Sequence, residues 1–255
     1  NNLFSKERLA MKNECGERVA KLQKLLKKND ALFITDPFNV RYLVNFTGTN
    51  GQIFITPETC LFFTDFRYTA VAKKVLPKNI KLAEIKNNFQ KTLNPLLQKK
   101  RIKTVSFEDK HLTVSRYNKL RKDFPKIKFK LAKNIVESIR EIKSEREIKY
   151  ITQAERIAEK IFLEVKKNLK IGKTEIEVAK EIGRFADKFG ADSLSFPPII
   201  GFGAHSASPH HQNTEKRLKK GDIVMIDMGV IYKGYWSDMT RMIFTTPPSA
   251  LEQKI

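Results

Sequence analysis

The sequence predicts an α/β protein built in two parts, and three observations carry that expectation. Short β-rich runs from residue 31 give way to strand–helix alternation from residue 67 to residue 131, two long amphipathic stretches follow between 135 and 190, and a strand pair closes the chain at 221–244. Strand–helix alternation argues for a sheet covered by helices. With 255 residues and 41% hydrophobic content, the chain has material for one large domain or two ordinary ones, each with a core.

The elements follow in order. Leu9, Val19, Leu22, Leu25 and Leu26 recur at helical spacing and predict a helix over 6–28. "ALFITD", "QIFIT" and "CLFFTDF" read as strands separated by Gly, Asn and Pro signals. "YTAVAKKVL", "FQKTLNPLLQKK" and "VSRYNKLRKDF" then read as helices alternating with the strands "IKLAEI", "TVSFED" and "IKFKLA". Near residue 135 the pattern changes to one long helix after a short lead-in, stopped at "KIG", and a second begins at Thr174 and ends at Gly190. These changes divide the chain into residues 1–134 and 135–255. Ser249 and Glu252 form a capping-box signature for a further helix that the sequence leaves only a turn to build, so either the final residues fray or this is the front part of a longer protein.

Composition narrows the class. No window is long and apolar enough to span a membrane. Cys15 and Cys60 stand apart without metal-type spacing, which fits a reducing compartment and a cytoplasmic location. The net charge of +21 is uneven, because residues 1–134 hold 29 Lys+Arg against 11 Asp+Glu. Such an excess can mark a polyanion surface. Here the lysines fall at outward-facing spacings and no aromatics interleave with them, so a solvated surface is the expectation, and nucleic acid is not.

The chemistry-bearing residues gather late in the chain. Asp227 and Asp238 interrupt two apolar strands in "GDIVMIDMGVIYKGYWSDMTRMIF", residues 221–244. A turn at Tyr232-Lys233, or a loop over 231–234, sets them directly opposite, with Cβ atoms about 4.5–5.5 Å apart. Two carboxylates so placed repel, and a divalent cation between them removes the penalty. A bulge that turns one outward, or a pairing with Arg241, is the competing reading. His205, His210 and His211 put three of the four histidines within seven residues of "GAHSASPHHQN". That suggests binding or proton transfer, against the alternative of an exposed polar loop. Their spacing fits no helical or hairpin ligand pattern, and Pro209 excludes a regular helix there.

In combination and order, "SFPPIIGFGAHSASPHHQN", "IDMG" and "SDMTR" resemble the first half of the catalytic domain of the pita-bread metallopeptidases, the Xaa-Pro aminopeptidases and Xaa-Pro dipeptidases. "IREIKSEREIKYITQAERIAEKIF" and "KIGKTEIEVAKEIGRFADKFGA" resemble that family's two lead helices, and "NVRYLVNFTGTNGQIFITPETCLFFTDFRYTAVA" its creatinase/prolidase-type N-terminal domain. The resemblance implies a mixed-sheet α/β N-terminal domain followed by the first half of a pita-bread α+β domain. It implies Asp227 and Asp238 as two of five ligands to two divalent metal ions, manganese first, with cobalt or zinc as alternatives. His210 would contact substrate and handle protons, whereas His205 and His211 match no ligand. The implied reaction is hydrolysis of an Xaa-Pro bond by metal-activated water, on peptides with proline second, in a homodimer. The remaining histidine and two glutamate ligands do not follow Asp238, so the chain as it stands is expected to be inactive. The alternative is a non-catalytic pita-bread protein that uses its basic N-terminal domain to bind nucleic acid or protein.

Overall fold

The computed structural model describes residues 2–86 and 88–249, without the side chains of residues 2–5. The capping-box partner Glu252 lies outside the described residues. Two compact units, Asn1–Ile142 and Lys143–Ile255, divide the chain.

The first unit is a six-stranded mixed sheet between two layers of helices. Its strands are β1 (Asp30–Ile34), β2 (Gln52–Ile55), β3 (Cys60–Thr64), β4 (Ile80–Glu84), β5 (Thr104–Phe107) and β6 (Lys128–Leu131), in the order β4-β3-β2-β1-β5-β6. The β1–β2 and β2–β3 pairs are antiparallel, and the other three are parallel. Alternation along β1 shows why both faces are covered. Leu32 and Ile34 join Val19 and Leu22 of α1 (Asn2–Leu25) and Val40 and Leu43 of α2 (Pro37–Val44) in one core. Ala31 and Phe33 join Leu93 and Leu97 of α4 (Phe89–Lys99) and Leu120 of α5 (Val114–Asp123) in the other. Central strands buried on both faces read as continuous apolar runs, which is the pattern of "ALFI". At the open edge, β6 exposes Lys128, Lys130 and Leu131 and half-buries Phe129. Charged edge strands resist pairing with other chains, so part of the lysine excess has a structural role. α3 (Thr69–Val75) and α6 (Glu137–Glu141) complete the unit.

The second unit opens with α7 (Glu145–Asn168) and α8 (Glu175–Phe189), each started by a closed capping box, Ser144 with Glu147 and Thr174 with Glu177. The expected long helix is α7, and its short lead-in holds α6, from which it is separated at Ile142–Ser144. Gly190 at φ +79° caps α8 in the left-handed conformation that glycine takes without a Cβ penalty. Beyond it lie β7 (Ser193–Leu194), β8 (Ile199–Phe202), a 3-10 turn (Gly203–Ala207), β9 (Ile223–Met228), β10 (Val230–Tyr232), β11 (Tyr235–Trp236) and β12 (Met239–Phe244). Two three-stranded sheets result, β12-β9-β8 and β11-β10-β7. Ala154, Ile157, Ile161, Ile182, Phe202, Val224, Ile226 and Met228 pack into one core beneath them. Among the described residues, no helix is long and apolar enough to cross a membrane.

The sequence hairpin 221–244 is thus four strands, jointed at Gly229 and at Ser237-Asp238. Ser237 carries the ladder across the joint, its N–H donating to Val230 O at 2.8 Å while its Oγ accepts from Val230 N–H at 3.0 Å. A Cβ at Gly229 would overlap the Ser237 carbonyl oxygen and Ser195 Oγ, so only glycine fits this approach. Gly229→Ala is expected to destabilise the second unit by about 1–3 kcal/mol, the usual effect of overpacking. Urea unfolding followed by fluorescence of Trp236, the sole tryptophan, reads this out. An unchanged midpoint would show that the joint yields freely.

Candidate active site

Asp227 sits in the central strand of the β12-β9-β8 sheet, flanked by Ile199 on β8 and Thr240 on β12. Its neighbours Ile226 and Met228 point into the core, whereas Asp227 is half-buried on the other face. The strand is therefore amphipathic at this point, and the carboxylate is not enclosed in apolar side chains. Thr240 Oγ1 donates to Asp227 Oδ1 at 3.0 Å.

The expected direct opposition of Asp227 and Asp238 is not observed. The turn falls at Lys233-Gly234, with φ of +48° and +80°, and pairs Tyr232 with Tyr235 and Met228 with Met239. Asp227 faces Thr240, and Asp238 lies two residues before Thr240 at the joint. In a regular ladder that is the diagonal position on the same face, about 7–8 Å away instead of 4.5–5.5 Å. A shift of two residues in the pairing preserves the face, so the two carboxylates still share a side of the ribbon. Asp238 is exposed, and its backbone N–H approaches Glu155 Oε1 on α7 at 3.4 Å. Arg241 Nη1 donates to Thr240 O at 2.9 Å, and among the described residues it pairs with neither aspartate.

The histidines are organised by a residue that the sequence reading did not single out. Glu175, the first residue of α8, is fully buried. Its Oε1 accepts from Phe202 N–H at 3.0 Å and contacts His205 Nδ1 at 2.8 Å. Its Oε2 contacts His211 Nε2 at 2.8 Å and accepts from Thr214 N–H at 2.9 Å and Thr214 Oγ1 at 2.8 Å. Asn213 accepts from Ile200 N–H and donates to Pro198 O, and Lys216 donates to Phe202 O. Side chains of one loop thus occupy the outer edge of β8, where another strand would otherwise pair. His210 rises from this anchored loop, exposed, in the turn closed by His211 N–H to Ser208 O at 3.2 Å. The available sequence signal for Glu175 was its place beside the N-cap Thr174, where a carboxylate favours the helix dipole. Nothing local linked it to histidines thirty residues away.

Comparison with known proteins fits this geometry. Metallopeptidase family M24 matches residues 149–255, and the creatinase/prolidase N-terminal domain matches residues 18–142. The uncharacterized peptidase SH1217 of Staphylococcus haemolyticus is 33% identical over 255 residues, covering 93% of this chain and 69% of that protein. The chain belongs to metallopeptidase family M24. Another similar protein, the uncharacterized peptidase YqhT of Bacillus subtilis, is 36% identical over 220 residues, 86% of this chain and 62% of its own length. The chain therefore spans about two thirds of the length of these curated relatives. Among solved structures, an Xaa-Pro dipeptidase from Bacillus anthracis superposes with a TM-score of 0.88 at 32% identity, covering 94% of this chain and 68% of that one. A prolidase from Pyrococcus horikoshii gives 0.84 at 31% identity, with 94% and 68% covered. An X-Pro aminopeptidase from Thermotoga maritima gives 0.83 at 31%, with 91% and 67% covered. The fold is that of the prolidases over this length, a mixed-sheet α/β unit followed by a pita-bread portion.

For an M24 metal pair, the donors at positions 227 and 238 fit in kind, since carboxylate oxygens on one ribbon face suit hard divalent ions. Among the described residues, the one group of three convergent His, Cys, Asp or Glu donors is Glu175, His205 and His211, and it includes neither aspartate.

Electrostatics single out Glu175 in this M24 chain. Burial alone would push its carboxyl up, but the hydrogen bonds from His211, Phe202 and Thr214 outweigh it and lower the pKa from 4.5 to about 2. Because the folded carboxyl titrates below the unfolded one, its stabilisation is complete above about pH 4.5 and lost as pH falls through about 2, worth about 3 kcal/mol in full. Acid titration of stability should show that loss in the wild type and a flatter profile over pH 4.5–2 in Glu175→Gln. Parallel profiles would mean the carboxylate is not held ionised by its partners.

Proposed function

We propose that this sequence belongs to a metal-dependent hydrolase of peptides carrying proline in the second position. What supports the reading is the pairing of Asp227 with Thr240, two residues after Asp238, in a family whose solved neighbours include an Xaa-Pro dipeptidase and an X-Pro aminopeptidase. Asp227 and Asp238 would hold divalent ions, manganese first, with cobalt or zinc as alternatives. Such ions, when bound, polarise a carbonyl and lower the pKa of water. Thr240 fixes one oxygen of Asp227 by donating to it, which leaves the other free for a cation. His210, exposed on a loop pinned by Glu175, Asn213 and Lys216, would contact the substrate and move a proton near the scissile bond.

Two carboxylates are too few to hold a catalytic ion pair, so residues 1–255 alone are expected to turn over no Xaa-Pro peptide with manganese present. The same sequence carried in a polypeptide of the relatives' length should cleave Xaa-Pro substrates, and Asp227→Asn or Asp238→Asn should each lower kcat/KM by about 1,000-fold or more. His210→Ala should lower it by about 100-fold or more, in the range of lost proton transfer. Assays with an Xaa-Pro dipeptide and a longer Xaa-Pro peptide separate dipeptidase from aminopeptidase action. Cleavage that survives Asp238→Asn would overturn the assignment.

A further inference from the structure

We propose that Glu175, His205 and His211 form a second, mononuclear site for a divalent cation of the zinc class, separate from Asp227 and Asp238. Three donor atoms, one from the start of α8 and two from the loop after β8, converge there, all within 4.8 Å of one another. The donor set, two imidazole nitrogens and one carboxylate, is a set that zinc, cobalt and nickel accept, whereas an all-oxygen set suits manganese and magnesium.

The geometry favours a common ion. His205 Nδ1 and His211 Nε2 each approach a carboxylate oxygen at 2.8 Å, from rings whose centroids are 4.2 Å apart. A nitrogen and the carboxylate oxygen 2.8 Å from it, Oε1 for His205 and Oε2 for His211, would subtend about 85° at an ion about 2.1 Å from each, a cis angle that a bidentate carboxylate can share with both rings. In the absence of an ion each imidazole directs an N–H at the carboxylate. With an ion bound, each ring moves its proton to its other nitrogen, His205 Nε2 and His211 Nδ1. The lone pairs of Nδ1 and Nε2 then bind the ion, and no net proton is lost.

The surroundings meet the demands of a ligating carboxylate. Phe202 N–H on Oε1, and Thr214 N–H and Thr214 Oγ1 on Oε2, orient the Glu175 carboxylate, as ligand carboxylates require. The hydrogen bonds that keep it ionised are described above. The Glu175 side chain is 0% exposed, while His211 is 13% and His205 34% exposed. One side of the site is therefore fixed inside the unit and the other opens to water, which would complete the coordination. Lys216, the nearby cation, is already engaged with Phe202 O. The site borders the loop that carries His210, so a bound ion would brace that loop, but the proposal does not depend on any peptidase activity.

The test uses residues 1–255 and zinc alone. Isothermal titration at neutral pH should find one zinc per chain whose affinity falls by more than 100-fold in His205→Ala and in His211→Ala, beyond the roughly 10–100-fold effect of losing an outer-sphere partner. It should persist in His210→Ala and in the Asp227→Asn, Asp238→Asn double variant. Cobalt should give visible absorption bands that vanish in His205→Ala. Circular dichroism melting confirms that each variant is folded. Unchanged zinc affinity in either His205→Ala or His211→Ala would overturn the site. Loss in His210→Ala would reduce it to surface histidine chelation, and loss only in the aspartate double variant would assign the ion to the other site. A peptidase assay is not involved, so failure here leaves the catalytic reading untouched.

Discussion

Five donors from the stretch 202–214 converge on the Glu175 carboxylate, and the arrangement of the candidate site depends on that convergence. The capping box of Thr174 and Glu177 sets the start of α8, which places Glu175 against the outer edge of β8. A buried carboxylate without donors would be strongly unfavourable, so the chain at 202–214 must come to it. Once it does, β8 gains substitute partners, His205 and His211 are drawn inward, and His210 is left facing solvent. The orientation of three histidines follows from satisfying one acid.

The first unit uses the same device with a different electrostatic outcome. Glu108, buried at the end of β5, accepts from Thr35 N–H, Asp36 N–H and Asn39 Nδ2 and so joins the start of α2 to the sheet. Burial raises its pKa and the Asp36 charge adds to that, with three neutral donors failing to offset them. Glu175 has two imidazoles and a hydroxyl besides its backbone donors, and its carboxyl is held low. The same residue type in two buried hubs is thus set apart by donor number and by its charged neighbour.

Much of the architecture was legible because it is written in local periodicity. The alternation of 67–131, the amphipathic faces of α7 and α8, and the terminal glycine of α8 each act within one or two turns of chain, whereas α2, between two strands, was not read. Face assignment was also legible: Asp227 and Asp238 are an odd number of residues apart across a tight turn, and any such turn of even length leaves them on one side. The register was not. Tyr232-Lys233 and Lys233-Gly234 are both plausible turns in sequence, and what selects the second is that Gly234 accepts φ +80° at the position where Lys233 already stands at +48°. The joint at Gly229 was hidden for a related reason, since it arises from the approach of Ser237 and Ser195 across the sheet.

The sequence by itself determined the helices and strands, the two-part organisation, the family and the residues of the aspartate pair, because these depend on spacing and on motifs in order. Only the tertiary structure decided that the pair is diagonal, that Asp227 lies on the open face of an amphipathic strand, and that Glu175 gathers His205 and His211. Those are long-range choices. Residues 175, 205 and 211 meet because a buried charge must be satisfied by whatever the fold can bring within 2.8 Å, and no local pattern in the chain records which residues those will be.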